Sequence, residues 1–429
     1  MAENSNGEVN KTAFRNGACE CERSLRQSHT PLDPGGAMNE TSNRSRPELS
    51  LIASSPMAGH TALSRGEGHR WDGPLNTRQH YLGLLRADAL EMHYQPIVAL
   101  NSGKLVKVEA LARLHDGDRL LRPVEFFPAL GSEDFVELYG RGLEQALRQR
   151  NRWLGEQLDV QVSINLPSSA LGDARYFDAT HRILREYRCA PERLTLEILE
   201  TGEIPRGVDA ASEMAKFRNL GVSLAEDDLG SGHSSLHRLR DLPFDIVKID
   251  GALVATKGGN PSDVLRFIYQ LTRLGHSLGK SVIVEGVEER DLLQAIRILG
   301  ADAVQGYVIA RPMLGGQIVD WVRNQGDSGA TMAYPDSTLA KLARLLMWEE
   351  RLHLMREEIR SDTEWMVDPG KLIREVRAGI PFPTVRPSLQ MAVAEAALTH
   401  GLRSTEYRDA REPLVAALAG RAVEEVVSK

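Results

Sequence analysis

From Thr77 onward, short apolar or β-branched runs alternate with longer amphipathic stretches. The runs are His93–Val98, Leu105–Leu114, Val160–Leu166, Leu194–Ile198, Val222–Ala225, Ile246–Ile249, Ser281–Val284 and Ala303–Ile309. Between and beyond them, apolar residues recur at helical spacing over Phe135–Trp153, Ser169–Tyr187, Ala210–Leu220, Ser234–Leu239, Ser262–Leu278, Glu288–Leu299 and Gly316–Asn324. Gly221, Gly279 and Gly300 stand where a left-handed residue closes a helix. Strands joined by helical crossovers form a largely parallel sheet with helices outside. Eight runs in about 245 residues match a (β/α)8 barrel. The first two runs are separated by Asn101-Ser102-Gly103, which is turn chemistry and predicts an antiparallel hairpin. The predicted fold class is therefore α/β, a modified (β/α)8 TIM-type barrel with an antiparallel first strand over residues 77–325.

The flanks read differently. Residues 1–76 are rich in Ser, Asn, Gly, Glu and Arg without sustained periodicity, and are expected to form a disordered N-terminal tail. Met38 and Met57 lie within it, so part of it reads as leader sequence ahead of a later start codon. Residues 326–336 read as a linker. A small all-helical C-terminal region is predicted over 337–429, with helices at Ser337–Ile359, Ser388–His400 and Pro413–Val427. Leu339, Leu342, Leu346 and Met355 share one side of the first, and Pro413 is placed at a first-turn position of the last. Pro369, Pro381, Pro383 and Pro387 interrupt the stretch between. This region is expected to pack onto the barrel or to mediate dimerisation.

Composition narrows the class. A chain of 429 residues accommodates two or three domains, or one large α/β domain with additions. Its 42% hydrophobic content supports a substantial core. A formal charge of −7 argues against a nucleic acid polymer as the main partner. No apolar run approaches about 18 residues, so no membrane insertion is expected. The N-terminus has no basic region followed by an apolar stretch, which argues against a secretory signal. Three cysteines, Cys19, Cys21 and Cys189, fit a reducing, cytoplasmic setting. Cys19 and Cys21 form a C-x-C with no His or second Cys pair close by, and read as thiols in the tail rather than metal ligands.

Chemistry enters where the runs end, the side on which barrel active sites are built. Glu109 lies in the second run, followed by Leu111 and Arg113, and Asn165 ends the third. Glu197 ends the fourth with Glu200 just beyond, and Asp227-Asp228 follow the fifth. Lys248 and Asp250 end the sixth, Glu285 the seventh, and Gln305 lies in the eighth. Each has an ordinary reading alone: a solvent-facing strand Glu, an Asp-Asp turn, an Asn helix cap, an exposed strand-end Lys, a helix start at Glu285-Gly286-Val287-Glu288. Seven consecutive runs with such a group at the same end outweigh those readings. Converging carboxylates repel one another unless cations neutralise them. All-oxygen donors favour Mg2+ or Mn2+ over Zn2+. Two reaction classes fit: two-metal hydrolysis of a phosphodiester, and single-metal enolisation with a lysine base. The doublet Asp227-Asp228 favours the first, because neighbouring carboxylates reach different metals. Arg113 suits bidentate phosphate binding.

These segments resemble the Glu-Ala-Leu (EAL) family of bacterial cyclic-di-GMP phosphodiesterases. The matching stretches are Tyr94-Gln95-Pro96-Ile97, Val108-Glu109-Ala110-Leu111-Ala112-Arg113, Ser163-Ile164-Asn165-Leu166, Glu197-Ile198-Leu199-Glu200, the run from Asp227 to Leu236, Val247-Lys248-Ile249-Asp250, Glu285-Gly286-Val287-Glu288 and Gln305-Gly306-Tyr307. The resemblance implies two Mg2+ or Mn2+ ions per active site and hydrolysis of cyclic-di-GMP to linear pGpG. It implies that Glu109, Asn165, Glu197 and Asp227 hold the first metal, and that Asp228, with Asp227 bridging, helps hold the second. Glu285 is implied as the general base or as a further metal-site carboxylate, with Lys248 orienting the water or the second metal's shell. Gln95, Leu111, Arg113, Asp250 and Gln305 are implied on the substrate side, Gln305 also supporting the site. Glu200 is implied to anchor the loop that begins at Asp227, which in this family couples metal binding to dimerisation, so a homodimer through the barrel is expected.

Departures from the family pattern cluster in that loop: Leu229 for the usual Phe, Ser231 for Thr or Ala, His233 for Tyr, with Leu199 nearby where Thr is common. Leu114–Pro123 is shorter than usual and lacks the family's Trp. No implied metal ligand is lost. The alternative reading is a catalytically silent receptor that binds cyclic-di-GMP and signals through protein contacts, and a metal-dependent lyase or isomerase of the enolase type is a third. No Gly-Gly-Asp/Glu-Glu-Phe segment occurs, so no diguanylate cyclase domain is expected before the barrel.

Overall fold

The computed structural model describes residues 74–199, 204–229, 236–254, 260–325, 337–360 and 387–427. The tail to residue 73 with Cys19 and Cys21, residues 326–336, Pro369, Pro381, Pro383, Glu200, Ser231 and His233 lie outside the described residues, as does the side chain of Asp228.

The strands are β1 Leu90–Ala99, β2 Leu105–Asp116, β3 Arg119–Leu121, β4 Gln161–Leu166, β5 Leu194–Ile198, β6 Ser223–Leu229, β7 Ile246–Ile249, β8 Ser281–Val284, β9 Ala303–Val304 and β10 Met313–Leu314. Parallel pairing runs from β2 through β4, β5, β6, β7 and β8 to β9. Strand β1 closes the ring, antiparallel to β2 with Gln95 opposite Glu109, and antiparallel to β9 with Val98 opposite Val304. The result is a closed barrel of eight strands with the first reversed, and the expected hairpin forms at residues 101–103. Short β3 and β10 extend the hairpin at its edges.

Period-two alternation assigns each side chain to one of two environments. Val162, Ile164, Leu166, Leu194, Leu196 and Ile198 face outward into a core formed with helices Ser132–Gly155, Ala174–Glu186 and Ala210–Leu220. Trp153 is fully buried there, packs edge-on against Tyr94 and donates its indole N–H to the Gly315 carbonyl at 2.7 Å. A second core joins Ile249, Val282, Val284 and Val304 to helices Pro261–Ser277 and Arg290–Leu299.

The C-terminal helices Thr338–Arg360, Pro387–Thr399 and Thr405–Val427 belong to this second core. Leu342, Leu345, Leu346 and Trp348 are buried in one cluster with Leu292, Leu293, Ile296, Val393, Leu414 and Leu418. Within it, Glu349 is 6% exposed and accepts from the Tyr407 hydroxyl at 2.7 Å and from Arg411 Nε. Arg266, on the barrel helix, approaches the same carboxylate at 3.5 Å.

Some expectations are corrected. The last barrel run, expected over Ala303–Ile309, is a strand only at Ala303–Val304. Beyond it the chain crosses over Val287, whose N–H donates to the Gln305 carbonyl at 3.2 Å while Val308 N–H donates to the Val287 carbonyl at 3.0 Å. Pro413 sits inside its helix rather than at its first turn. The helix begins at Thr405 because Ser404 Oγ accepts from Tyr407 N–H at 3.0 Å, a stronger start signal than proline alone. The stretch Ser169–Tyr187 opens as a 3-10 turn and becomes α-helical at Ala174, where the Asp173 side chain caps the Arg175 N–H. A helix over Pro74–Arg86 crosses the boundary drawn at residue 77, with Leu85 fully buried.

Candidate active site

Eight interior side chains, one from each barrel strand or the residue just past it, form a polar layer at the C-terminal ends of the parallel strands. They are Gln95, Glu109, Asn165, Glu197, Asp227, Lys248, Glu285 and Gln305. The pairing sets Gln95 opposite Glu109 and Asn165 opposite Glu197, and the ring steps up by one inward position where Ser163 lies opposite Glu109, Ala225 opposite Glu197 and Ile283 opposite Lys248. Alternation explains the inward aim. Ile246 and Lys248 face in while Val247 and Ile249 join outer clusters, and the same parity carries Ile283 and then Glu285 inward.

Lys248 is the centre of the charged arc. It is 1% exposed, and its Nζ lies 2.6 Å from Glu197 Oε2, 2.6 Å from Glu285 Oε1, 2.9 Å from Asp227 Oδ1 and 3.8 Å from Glu109 Oε2. Burial works against the ammonium, but the four carboxylates outweigh it and hold Lys248 protonated well above the usual lysine value. Burial also raises Glu197, against the pull of Lys248. It raises Glu285 far above the ordinary glutamate range, opposed by Lys248 and reinforced by Asp227, Glu109 and Glu197. Four carboxylates around one ammonium leave an excess of negative charge, which proton uptake or a bound cation offsets.

The neutral arc completes the ring. Gln305 Nε2 donates to Glu109 Oε2 at 2.6 Å and to Gln95 Oε1 at 3.1 Å. Gln95 Nε2 donates to the Ala310 carbonyl at 3.1 Å, and Asn165 Nδ2 to Glu109 Oε1 at 3.1 Å. Leu111 and Arg113 stand above Glu109 on the same face of β2, with Arg113 Nη1 on the Ala112 carbonyl at 2.7 Å. Asp250 is buried just past β7, at the start of helix Gly251–Val254, and is not part of the ring. The exits of β7 and β8 press together. A Cβ on Gly286, whose φ is +61°, would meet Gly251 Cα at 2.5 Å, so this crossing requires glycine.

Among the described residues, no three carboxylate, imidazole or thiol side chains already converge at coordinating distance. The donor chemistry still fits a hard cation. Glu109, Asn165, Glu197 and Asp227 offer oxygens from four neighbouring strands, and Asn165 Oδ1 is buried without a hydrogen-bond donor among the described residues. The strand that carries Asp227 is braced from outside. Glu226 is fully buried and faces Arg238 of helix Leu236–Asp241 at 3.5 Å, while Leu229 packs with Leu239 and Val247.

The ring thus unites Gln95, Glu109, Asn165, Glu197, Asp227, Lys248, Glu285 and Gln305, all singled out from sequence. Reading the runs by their ends missed what lies above and below. Glu91 and His93 continue the interior face of β1 beyond Gln95, and Lys107 lies beneath Glu109, donating to Thr195 Oγ1 at 2.7 Å. Counting back by twos from Gln95 and Glu109 would have found them.

The family model described as the EAL domain matches residues 78–312. The chain is 30% identical over 287 residues to the cyclic di-GMP phosphodiesterase PA2567 of Pseudomonas aeruginosa, covering 64% of this chain and 48% of that protein. It is 32% identical over 237 residues to the cyclic di-GMP phosphodiesterase RocR of the same organism, covering 54% of this chain and 59% of that protein. The chain therefore spans about half the length of these curated relatives. Among solved structures, the PaMucR phosphodiesterase in complex with c-di-GMP matches with a TM-score of 0.52 at 29% identity, covering 56% of this chain and 99% of that one. No described helix is long and apolar enough to cross a membrane.

Proposed function

This chain belongs to the EAL domain family, and on that premise we propose that it is a metal-dependent phosphodiesterase that hydrolyses cyclic di-GMP to linear pGpG. The observation that carries the reading is the buried Lys248 ammonium among Glu109, Glu197, Asp227 and Glu285 at the mouth of the barrel. Glu109, Asn165, Glu197 and Asp227 would hold one divalent cation, Mg2+ or Mn2+, and Asp227 with Asp228 a second. When bound, the cations acidify water and stabilise charge on the phosphoryl oxygens. Glu285, raised by burial, is suited to accept the proton of the attacking water. Lys248, tied to Glu285 and Asp227, orients that carboxylate and the water beside it. Gln305 holds Glu109 in place, and Gln95, Leu111, Arg113 and Asp250 line the substrate side. The same reading places Glu200 as anchor of the loop after Asp227, a homodimer through the barrel, and action in the cytoplasm.

The test is release of pGpG by the full chain in Mg2+ or Mn2+, beside a Glu109→Ala variant and cyclic di-GMP binding in Ca2+. Turnover by the wild type and its loss in the variant are expected. Tight binding without turnover in either metal would replace the enzyme with a receptor.

A further inference from the structure

The interior face of the hairpin does not end at the polar ring. Register sets His93 opposite Leu111 and Glu91 opposite Arg113, so these four side chains share the face that carries Gln95 and Glu109. They stand one and two levels further toward the open end. His115 completes the ladder: its Nε2 lies 2.9 Å from Glu91 Oε2, and His93 Nε2 approaches the same oxygen at 3.4 Å. The carboxylate is thus held between two imidazoles on the hairpin face that carries Gln95 and Glu109. His93 is 15% exposed, Glu91 37% and His115 49%, which places the first inside the mouth and the last at its rim.

We propose that Glu91, His93 and His115 form a proton-responsive wall of the substrate mouth, and that protonation of the imidazoles tightens binding of an anionic phosphodiester. The inference rests on the phosphodiesterase reading, because it concerns the entrance to that site. With both imidazoles neutral, the charges of Glu91 and Arg113 cancel. With both protonated, the ladder carries two additional positive charges where a cyclic dinucleotide must bring two phosphodiester anions past it. The groups facing His93 are Glu91, Arg113 and His115, and those facing Arg113 are Arg122, Glu109 and Tyr307. From the β10 side, the paired residues are the uncharged Met313 and Leu314.

The sign follows from linkage. Bound anion favours the charged His93 imidazole, so affinity is highest below its free value and declines as pH rises through its bound value. Burial, ahead of Arg113 and His115, keeps His93 below the usual histidine value despite Glu91, so its share of the effect lies on the acid side of neutrality.

The experiment is cyclic di-GMP binding by the full chain in Ca2+ from about pH 8 to about pH 5.5, for the wild type, His115→Gln, and His93→Gln/His115→Gln. The wild type should tighten about three- to tenfold as pH falls. The double variant should match it at pH 8 within about twofold and tighten far less, with His115→Gln between them. His115 is half-exposed, so its variant reads the effect even if the double variant fails to fold. Parallel pH slopes in wild type and variants would overturn this inference and leave the phosphodiesterase reading intact. Absence of binding by the wild type at every pH would overturn both.

Discussion

Two interior layers of one barrel, built on the same strands, have opposite chemistry. The upper layer is polar at every strand and gathers four carboxylates around Lys248. The layer beneath is packed by Ile97, Ile283 and Ala303, with Ile246 against them, and holds its own buried lysine, Lys107. The two lysines differ in company rather than in burial. Lys248 has carboxylates within ion-pair distance, whereas the partner of Lys107 is a hydroxyl, Thr195 Oγ1. Their ammonium groups accordingly shift in opposite directions, Lys248 well up and Lys107 down to about 8. Depth in the barrel therefore does not decide whether a buried charge is tolerated; compensation does.

The largest effect expected from breaking this contrast is at Lys248. Lys248→Met leaves four carboxylates facing one another. Stability without divalent metal should fall by about 3–5 kcal/mol, and pGpG release by at least about a thousandfold. Thermal unfolding with and without Mg2+, beside the turnover assay, reads both. A variant that unfolds like the wild type would deny Lys248 its central place.

Lys107→Met should act in the other direction. Burial lowers Lys107 to about 8 from 10.5, so between those values the unfolded chain binds more protons than the folded one, and stability rises with pH. Below that window the folded state carries the uncompensated charge, at a cost of up to about 3 kcal/mol. The variant should be more stable than the wild type at pH 7, by about 1–3 kcal/mol, and should lose the rise toward pH 10.5. Urea unfolding at pH 7, 9 and 10.5 measures this, and a less stable variant at pH 7 would contradict it.

Gln305→Leu sharpens the comparison within the upper layer. It removes the neutral donor that joins Gln95 to Glu109. A stability loss of about 1–2 kcal/mol is expected, with turnover reduced about tenfold and no change in the pH dependence of substrate binding. A variant as active as the wild type would show that the neutral arc is only packing.

The upper layer was legible because its members share one position in each run and because their residue types seldom face inward without partners. Glu109, Asn165, Glu197, Lys248 and Glu285 could each be picked out by that rule. The centrality of Lys248 could not, since it depends on strands β2, β5, β6, β7 and β8 curving onto one point, a property of closure rather than of any run. Local patterns also overextended the last strand, because Tyr307, Val308 and Ile309 are apolar enough for a strand although their backbone turns over Val287. Pro413 misled for a similar reason: proline marks helix starts on average, yet a serine cap earlier in the chain takes precedence. The His93–Glu91–His115 ladder has no comparable signature in sequence, because its members stand away from the shared run-end positions and are joined only by the hairpin register.

The shared core beneath β7 and β8 has a thermodynamic meaning. Ile249 and Val284 flank Lys248 and Glu285 in sequence, and they are buried in one cluster with Leu342, Leu346 and Leu414. Local opening of the C-terminal helices would expose the apolar support of those two strands, so the free energies of the two events are coupled. Amide hydrogens in Ile246–Ile249 and Ser281–Val284 should exchange in step with those of Thr338–Arg360, as a single foldon. The strands β4 and β5, buried in the other core, would form a second. An effector of the helices would then need no contact with the barrel mouth: by changing how often that half opens, it would set how often Lys248 and Glu285 stand together.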